Sequence, residues 1–388
     1  MALNRIYLDW NATAPLSAAA RAAMLDAFDL PGNASSVHAE GRAARNMLDK
    51  ARRQVAALVA AEPANVTFVS GATEAANFLL TPDYRMGRAP IRIGRLYVSA
   101  IEHPAIREGG RFEPVDVVEV PVTPAGVLDL VALESLLSAH DKTIGMPMVA
   151  VMLVNNETGI IQPVREAAAL VHAAGGLMIV DAVQAVGRMG VDIQALDADF
   201  MIISSHKIGG PKGAGAVICR GEVLMPKPLI RGGGQEKGHR SGTENFHAVI
   251  GFGAAAEAAG ADVAERNGAI EALRARLEEG MRRAAPDVII HGASVARVAN
   301  TSFFTLPGLK SETGQIAFDL EGVALSAGSA CSSGKVGESH VLTAMGHDPK
   351  LGALRISLGP ETTQADVDRA IAAFAKIAGR RKTTGEAA

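Results

Sequence analysis

Apolar positions along this chain fall into two arrangements. Short runs, mostly or wholly apolar, occupy residues 6–8, 66–70, 95–100, 149–154, 177–180, 200–203 and 216–218. Between them lie stretches where apolar side chains recur every three to four residues, as Met47, Ala51, Val55 and Leu58 do within residues 38–60. The runs predict buried strands, and the spaced stretches predict helices with one buried face. Further helices are expected over 71–80, 128–139 and 164–174, so strand and helix alternate and the fold class is α/β. Polar residues follow five of the runs within three positions: Thr73, His103, Asn156, Asp181 and the group Ser204-Ser205-His206-Lys207. In open α/β sheets, ligands bind just beyond the carboxyl ends of the strands.

Each strand exit admits a chemical reading beside a plain one. Lys207, followed by glycines, can form a Schiff base with a carbonyl compound or can be an exposed lysine in a turn. Gly71-Ala72-Thr73-Glu74 opens a helix, where unpaired amides and the positive dipole end suit an anion; an ordinary strand–helix junction looks the same. His103 can lie flat over a planar ring or serve as a loop histidine. Asp181 can keep a pyridine-type nitrogen protonated or cap a helix, with Gln184 three residues on. Asn155-Asn156-Glu157 offers donors and acceptors at a strand end. The opening turn from Asp9 to Pro15 either connects elements or lines a cleft. No Walker sequence and no G-x-G-x-x-G after a strand is present, which argues against nucleotide binding.

The second half of the chain is organised differently. Residues 231–245 are rich in glycine and polar side chains, a loop able to approach another surface closely. Alanine-rich helices over 247–284 lead to a smaller α+β unit with strands near 288–291 and 299–305. Its closing helix begins at a capping box, Thr363 to Asp366, and carries the stripe Val367, Ile371, Phe374, Ala378 before Gly379. Cys331 stands among glycines and serines, the setting of an accessible, reactive thiol, whereas Cys219 lies in an apolar run. Arg355 is a lone cation in an apolar strand, suited to a carboxylate ligand or to a structural ion pair.

Composition adds bounds. At 388 residues, 48% hydrophobic and 20% charged, the chain suits one large and one smaller globular domain. A net charge of −3 gives no general affinity for nucleic acid or anionic membrane. No apolar run spans a bilayer and the first residues lack a signal-peptide core, so a cytoplasmic enzyme is expected. Two cysteines make no disulfide framework.

The ordered set of motifs resembles one family. Tyr7-Leu8-Asp9, residues 70–74, Glu102-His103, residues 154–157, residues 180–184, Ser204 to Gly213, residues 240–243, Gly328-Ser329-Ala330-Cys331 and residues 355–359 together resemble the cysteine desulfurases. These are class V members of the pyridoxal-phosphate aminotransferase superfamily, and the likeness is to the nitrogen-fixation and iron–sulfur-assembly type. It implies fold type I: a large domain, residues 16–255, with a mostly parallel seven-stranded sheet. Residues 1–15 and 256–380 would form the small domain carrying the cysteine loop, and 381–388 a disordered tail. It implies pyridoxal 5'-phosphate on Lys207, with His103 over the ring, Asp181 at its nitrogen and Gln184 at its phenolic oxygen. Ala72, Thr73, Ser204 and His206 would hold the phosphate, with Thr243 supplied by the other subunit of a homodimer. Asn156 and Arg355 would grip the carboxylate of L-cysteine. Cys331 would take its sulfur as a persulfide, leaving L-alanine, for delivery to an iron–sulfur scaffold or sulfurtransferase. No intrinsic metal is implied, although Cys331 could ligate an iron–sulfur cluster transiently.

The chain departs from the family pattern at Trp10 and Ala12-Thr13-Ala14-Pro15, at Ser205, and at Gly209-Gly210. A selenocysteine lyase shares the same apparatus and is the nearest alternative. A class V aminotransferase would not need Cys331, and a scaffold without catalysis would not need Lys207, Asp181 and Cys331 together.

Overall fold

The computed structural model describes residues 5–221, 224–328 and 338–385. Strand β1 (Ile6–Tyr7) belongs to the smaller unit. The main sheet is built from β2 (Val66–Val69), β3 (Asp83–Met86), β4 (Ala89–Ser99), β5 (Val117–Val120), β6 (Met146–Met152), β7 (Leu177–Asp181), β8 (Phe200–Ser204), β9 (Gly215–Cys219) and β10 (Leu224–Pro226). Seven of these run in the order β5-β4-β6-β7-β8-β9-β2. Neighbours are parallel from β5 to β8, and β9 runs antiparallel to both β8 and β2. The sheet is nine-stranded rather than seven-stranded, because β3 and β10 add antiparallel ribs along the first half of β4.

The apolar runs are continuous because the central strands are covered on both faces. Val149, Val151, Met178, Val180, Met201 and Ile203 enter one core. Their sequence neighbours Met148, Ala150, Leu177, Ile179, Phe200 and Ile202 enter another. This is the two-residue period of a strand, with a buried side chain on each side. Each fully buried side chain of this size contributes about 1.5–3 kcal/mol.

The smaller unit holds β11 (Ile289–Ile290), β12 (Thr301–Thr305), β13 (Val323–Ala324), β14 (Ser326–Ala327) and β15 (Leu354–Ser357). An antiparallel sheet runs β11-β12-β15-β14, while β1 pairs in parallel with β13. Ile6 and Leu8 share its core with Leu277, Phe304, Phe318, Ile356 and Phe374. The chain therefore starts in the smaller unit and returns to the main sheet through the turn after Leu8.

The closing helix corrects one expectation. It starts at Gln364 behind the Thr363–Asp366 capping box, but it passes Gly379 and continues to Gly385, where residues 381–388 were expected to be disordered. A Cβ at Gly379 would meet nothing within 4 Å, and Arg381 fastens the extra turns by donating to Pro307 O at 2.6 Å and pairing with Asp287. Helix Ala18–Phe28, strand β5 and the β3–β4 hairpin had no counterpart in the sequence reading. No helix among the described residues is long and apolar enough to cross a membrane.

Candidate active site

A cleft of about 580 Å³ opens at the carboxyl ends of β6, β7 and β8, beside the start of helix Ala72–Leu79. Lys207, Asp181, His103 and Gln184 line it. So do Ala72, Thr73, Ser204, His206 and Asn156.

One end is made for an anion. Gly71 caps helix Ala72–Leu79 with no side-chain bond, so the first amides face the cleft with the positive end of the dipole. Gly215 lets β9 approach, since a Cβ there would lie 2.8 Å from Gly71 Cα. Glu74 also lines the cleft, but its carboxylate is engaged, accepting from Ser70 N at 2.8 Å and from Arg240 Nε at 3.0 Å. Burial raises the Glu74 pKa, but these bonds and the Arg240 charge outweigh it and hold the carboxyl below its ordinary value. His206 points Nδ1 to Thr13 Oγ1 at 3.1 Å. Burial, with the cations Lys207, Lys212 and Arg188 nearby, pushes the His206 pKa down to about 4. The three cations gathered around this ring, rather than the burial that dominates its shift, mark a place where a phosphate would be welcome.

The other end carries the acid and the ring contacts. Asp181 accepts from Val183 N at 2.9 Å through Oδ1. Burial raises its carboxyl pKa, opposed by that bond and by the charges of His103 and Lys207. His103 accepts from Ala105 N at 3.1 Å through Nδ1, which leaves its proton on Nε2. Burial lowers its pKa and Lys207 adds to this, against Asp181, so the ring is neutral. Glu102 lies fully buried beneath it, with Oε1 accepting from Met152 N at 2.7 Å. Burial and then Asp181 push this carboxyl well above the ordinary range, which favours its neutral form.

The opening turn forms the third wall. Lys207 Nζ donates to Asn11 O at 2.6 Å and to Ala12 O at 2.9 Å. Gln184 Nε2 donates to the same Asn11 O at 3.0 Å, while its Oε1 is buried without a hydrogen bond among the described residues. A lysine, a buried carboxylate, an unengaged amide oxygen and an open helix start together fit pyridoxal phosphate.

Two expected residues stand apart from this cleft. Arg355 is 1% exposed, donates through Nη1 to Asn156 O at 2.8 Å and pairs through Nη2 with Asp9 Oδ1 at 2.8 Å. Thr243 is exposed in an adjoining pocket of about 200 Å³ that shares Ser70 and Gly213 with the cleft. Cys331 lies outside the described residues. Asp9, Asn11, Ala12 and Thr13 were passed over as binding groups. Their signal was a polar turn broken by proline, and much of their contribution is backbone carbonyls, which no side chain announces. Of the departures from the family pattern, Ser205 is fully buried, and Gly210 must stay small because a Cβ there would lie 2.1 Å from Ser205 Oγ. Trp10 stacks against Gly359, where a Cβ would lie 1.9 Å from the indole.

The aminotransferase class-V family model matches residues 6–370. A cysteine desulfurase of Gluconacetobacter diazotrophicus is 39% identical over 382 residues, covering 95% of this chain and 92% of that protein. An IscS-like cysteine desulfurase of Mycobacterium tuberculosis is 37% identical over 374 residues, with 94% of each chain covered. Among solved structures, a NifS-like protein from Rickettsia africae is 33% identical and superposes with a TM-score of 0.86 over 96% of this chain and 99% of its own. The cleft and the matches agree: the chain belongs to the class-V aminotransferase family, among its cysteine desulfurases.

Proposed function

We propose that this chain takes sulfur from L-cysteine with pyridoxal 5'-phosphate as cofactor, holds it as a persulfide on Cys331 and releases L-alanine. The observation that carries the reading is the convergence of Lys207, Asp181 and the open start of helix Ala72–Leu79 on one cleft. When bound, the cofactor supplies an electron sink for the substrate's carbons. Lys207 holds it and afterwards moves protons at the substrate Cα. Asp181 keeps the ring nitrogen charged, neutral His103 covers the ring, and Gln184 meets the phenolic oxygen. Ala72 and Thr73 amides with Ser204 and His206 bind the phosphate, joined by Thr243 across a homodimer interface. Asn156 and Arg355 orient the substrate carboxylate, for which Arg355 must share its fork with Asp9. The Cys331 thiolate attacks the substrate sulfur: the S–S bond forms, the Cβ–S bond breaks, and the carbon left behind takes a proton. The persulfide then passes to an acceptor protein for iron–sulfur cluster or thio-cofactor synthesis, in the cytoplasm.

The test separates the two central residues. Cys331→Ser should bind the cofactor and shift its absorbance on addition of cysteine, yet form neither persulfide nor alanine at a useful rate. Lys207→Ala should fail before proton transfer. Alanine formation by Cys331→Ser at the parent rate would refute the persulfide route.

A further inference from the structure

The turn that ends β6 does more than face the cleft. Asn155 is fully buried, and its Oδ1 accepts from Glu157 N, Thr158 N and Thr158 Oγ1 at 3.0, 2.9 and 3.1 Å. Its Nδ2 donates to Ile101 O at 3.0 Å, which locks the turn to the chain just before Glu102 and His103. The lock turns Glu157, 2% exposed, away from the cleft and under the smaller unit.

There it meets both ends of the segment that carries Cys331. Ser339 Oγ donates to Glu157 Oε2 at 2.6 Å. From the other side Gly328 packs so closely that a Cβ would lie 3.0 Å from the same Oε2 and 2.7 Å from the Phe303 ring. The next residue, His340, donates Nε2 to Glu102 O at 2.9 Å. The two turns that present Asn156 and His103 to the cleft therefore also hold the stem of the cysteine segment. Cys331 lies three residues from Gly328, a reach of about 10 Å at full extension. Where Gly328 is fixed thus bounds where the thiol can go.

We propose that Glu157 is a positioning residue for the sulfur step: its carboxylate moors the stem of the Cys331 segment to the cleft turn and sets the reach of the thiol. This rests on Cys331 being the sulfur acceptor. The geometry concerns attack by Cys331 and leaves the groups that bind cofactor and substrate untouched. Loss of the mooring therefore lowers turnover without weakening cysteine binding.

Ser339 also caps helix His340–Ala344 by accepting from Leu342 N at 3.2 Å, so the variants must separate the two jobs. Ser339→Asp keeps a capping oxygen but sets a second carboxylate against Glu157. Ser339→Thr keeps both bonds. In Glu157→Gln/Ser339→Asp, an amide N–H can donate to the new carboxylate and restore the link. In the holoenzymes, Ser339→Asp is expected to lose about 10- to 100-fold in kcat for alanine and persulfide, the scale of a misplaced reacting group. Its KM for cysteine and cofactor absorbance should be unchanged. Ser339→Thr should keep kcat within about threefold, and the double variant should recover about tenfold over Ser339→Asp. If Ser339→Asp fails to load cofactor, Glu157→Leu, which removes the mooring and leaves the Ser339 cap in place, carries the same comparison at matched loading against Ser339→Thr. A kcat within about twofold of the parent for the mooring-deficient variant overturns the proposal, as does a double variant that loads fully and recovers nothing. Cys331→Ser making alanine at the parent rate would overturn the sulfur-acceptor reading and the mooring with it. An inactive Cys331→Ser beside an unimpaired Ser339→Asp overturns the mooring alone.

Discussion

Asp9→Asn removes the carboxylate that faces Arg355 and changes almost nothing in volume. The pair is short, at 2.8 Å, and dry: the side chains are 1% and 17% exposed for Arg355 and Asp9. Taking one partner from a buried ion pair costs about 3–5 kcal/mol, because the remaining charge is left uncompensated. The asparagine oxygen can still accept from Nη2, which retains about 1 kcal/mol. The link to Ser326 Oγ, which now donates to Asp9 Oδ2 at 2.8 Å, can persist if that oxygen becomes an amide donor and the hydroxyl turns. The expected net loss is about 2–4 kcal/mol, or for 388 residues a fall of roughly 2–5 °C in melting temperature. A second limb tests function. L-alanine carries the substrate's carboxylate and has no thiol, so it can be titrated into a melting assay without turnover. If Arg355 grips that carboxylate, Asp9 competes with it in the parent but not in the variant. Saturating alanine should then raise the melting temperature further in Asp9→Asn than in the parent. A variant that melts within about 1 °C of the parent would show that the pair is not buried as described. Equal protection of both proteins by alanine would remove Arg355 from the substrate site.

The other expectations are briefer. Mixing Lys207→Ala with Thr243→Ala subunits should restore about a quarter of parental sites if they reassort freely into twofold dimers, and no recovery in steady-state assays would place Thr243 outside a shared site. Glu102→Gln should leave stability within about 1 kcal/mol of the parent, since burial already favours the neutral form of the acid, whereas Glu102→Leu strands Met152 N and should cost about 1–3 kcal/mol in urea unfolding. His291 is 4% exposed, and burial, with His347 adding to it, pushes its pKa down to about 4 from 6.5. The unfolded chain therefore binds the proton more readily, so stability is full above about pH 6.5 and falls towards pH 4, by up to about 3 kcal/mol. Urea midpoints at several pH values should show this slope, and His291→Gln, which can still donate to Thr305 Oγ1, should flatten it.

What could be read from the sequence was whatever side chains announce by type and place. Central strands β6, β7 and β8 are legible because burial on both faces leaves almost no polar position, and polar residues within four positions of five runs name the cleft: Thr73, His103, Asn156, Asp181, Lys207. Elements without such a pattern were not. Strand β5 is four residues long with a charged Glu119 and only Val120 buried, so it offers no run to find. Helix Ala18–Phe28 is nearly all alanine along its first half, and alanine marks no face. Gly379 resembles a helix stop in sequence but does not act as one, because a Cβ there would meet nothing within 4 Å and Arg381, which fastens the last turns, follows it.

The harder omission was the opening turn, and the reason lies in how it works. Asn11 joins the two units from a buried position, giving Nδ2 to Thr301 Oγ1 at 2.9 Å and accepting from Asn300 Nδ2 at 3.0 Å. Its main-chain oxygen meanwhile receives Lys207 Nζ and Gln184 Nε2, and the neighbouring Trp10 O receives Arg188 at 3.4 Å. Arg188 has no acid against it among these bonds; burial and Arg355 push its pKa down to about 9, and its main support is Gln184 O at 2.9 Å. Carbonyl oxygens thus hold the nitrogens around Lys207, and carbonyls are the one acceptor every residue type supplies. Substitution at Trp10 or Ala12 can therefore leave this framework standing so long as the turn keeps its path. That path is set by Asn11 and by the pairing of Asp9 with β15, where Ser357 N donates to Leu8 O at 2.8 Å. Sequence divergence in this turn and preservation of the site are compatible because the site borrows the turn's backbone, and Lys207 must leave those two carbonyls before its amine can act on anything else.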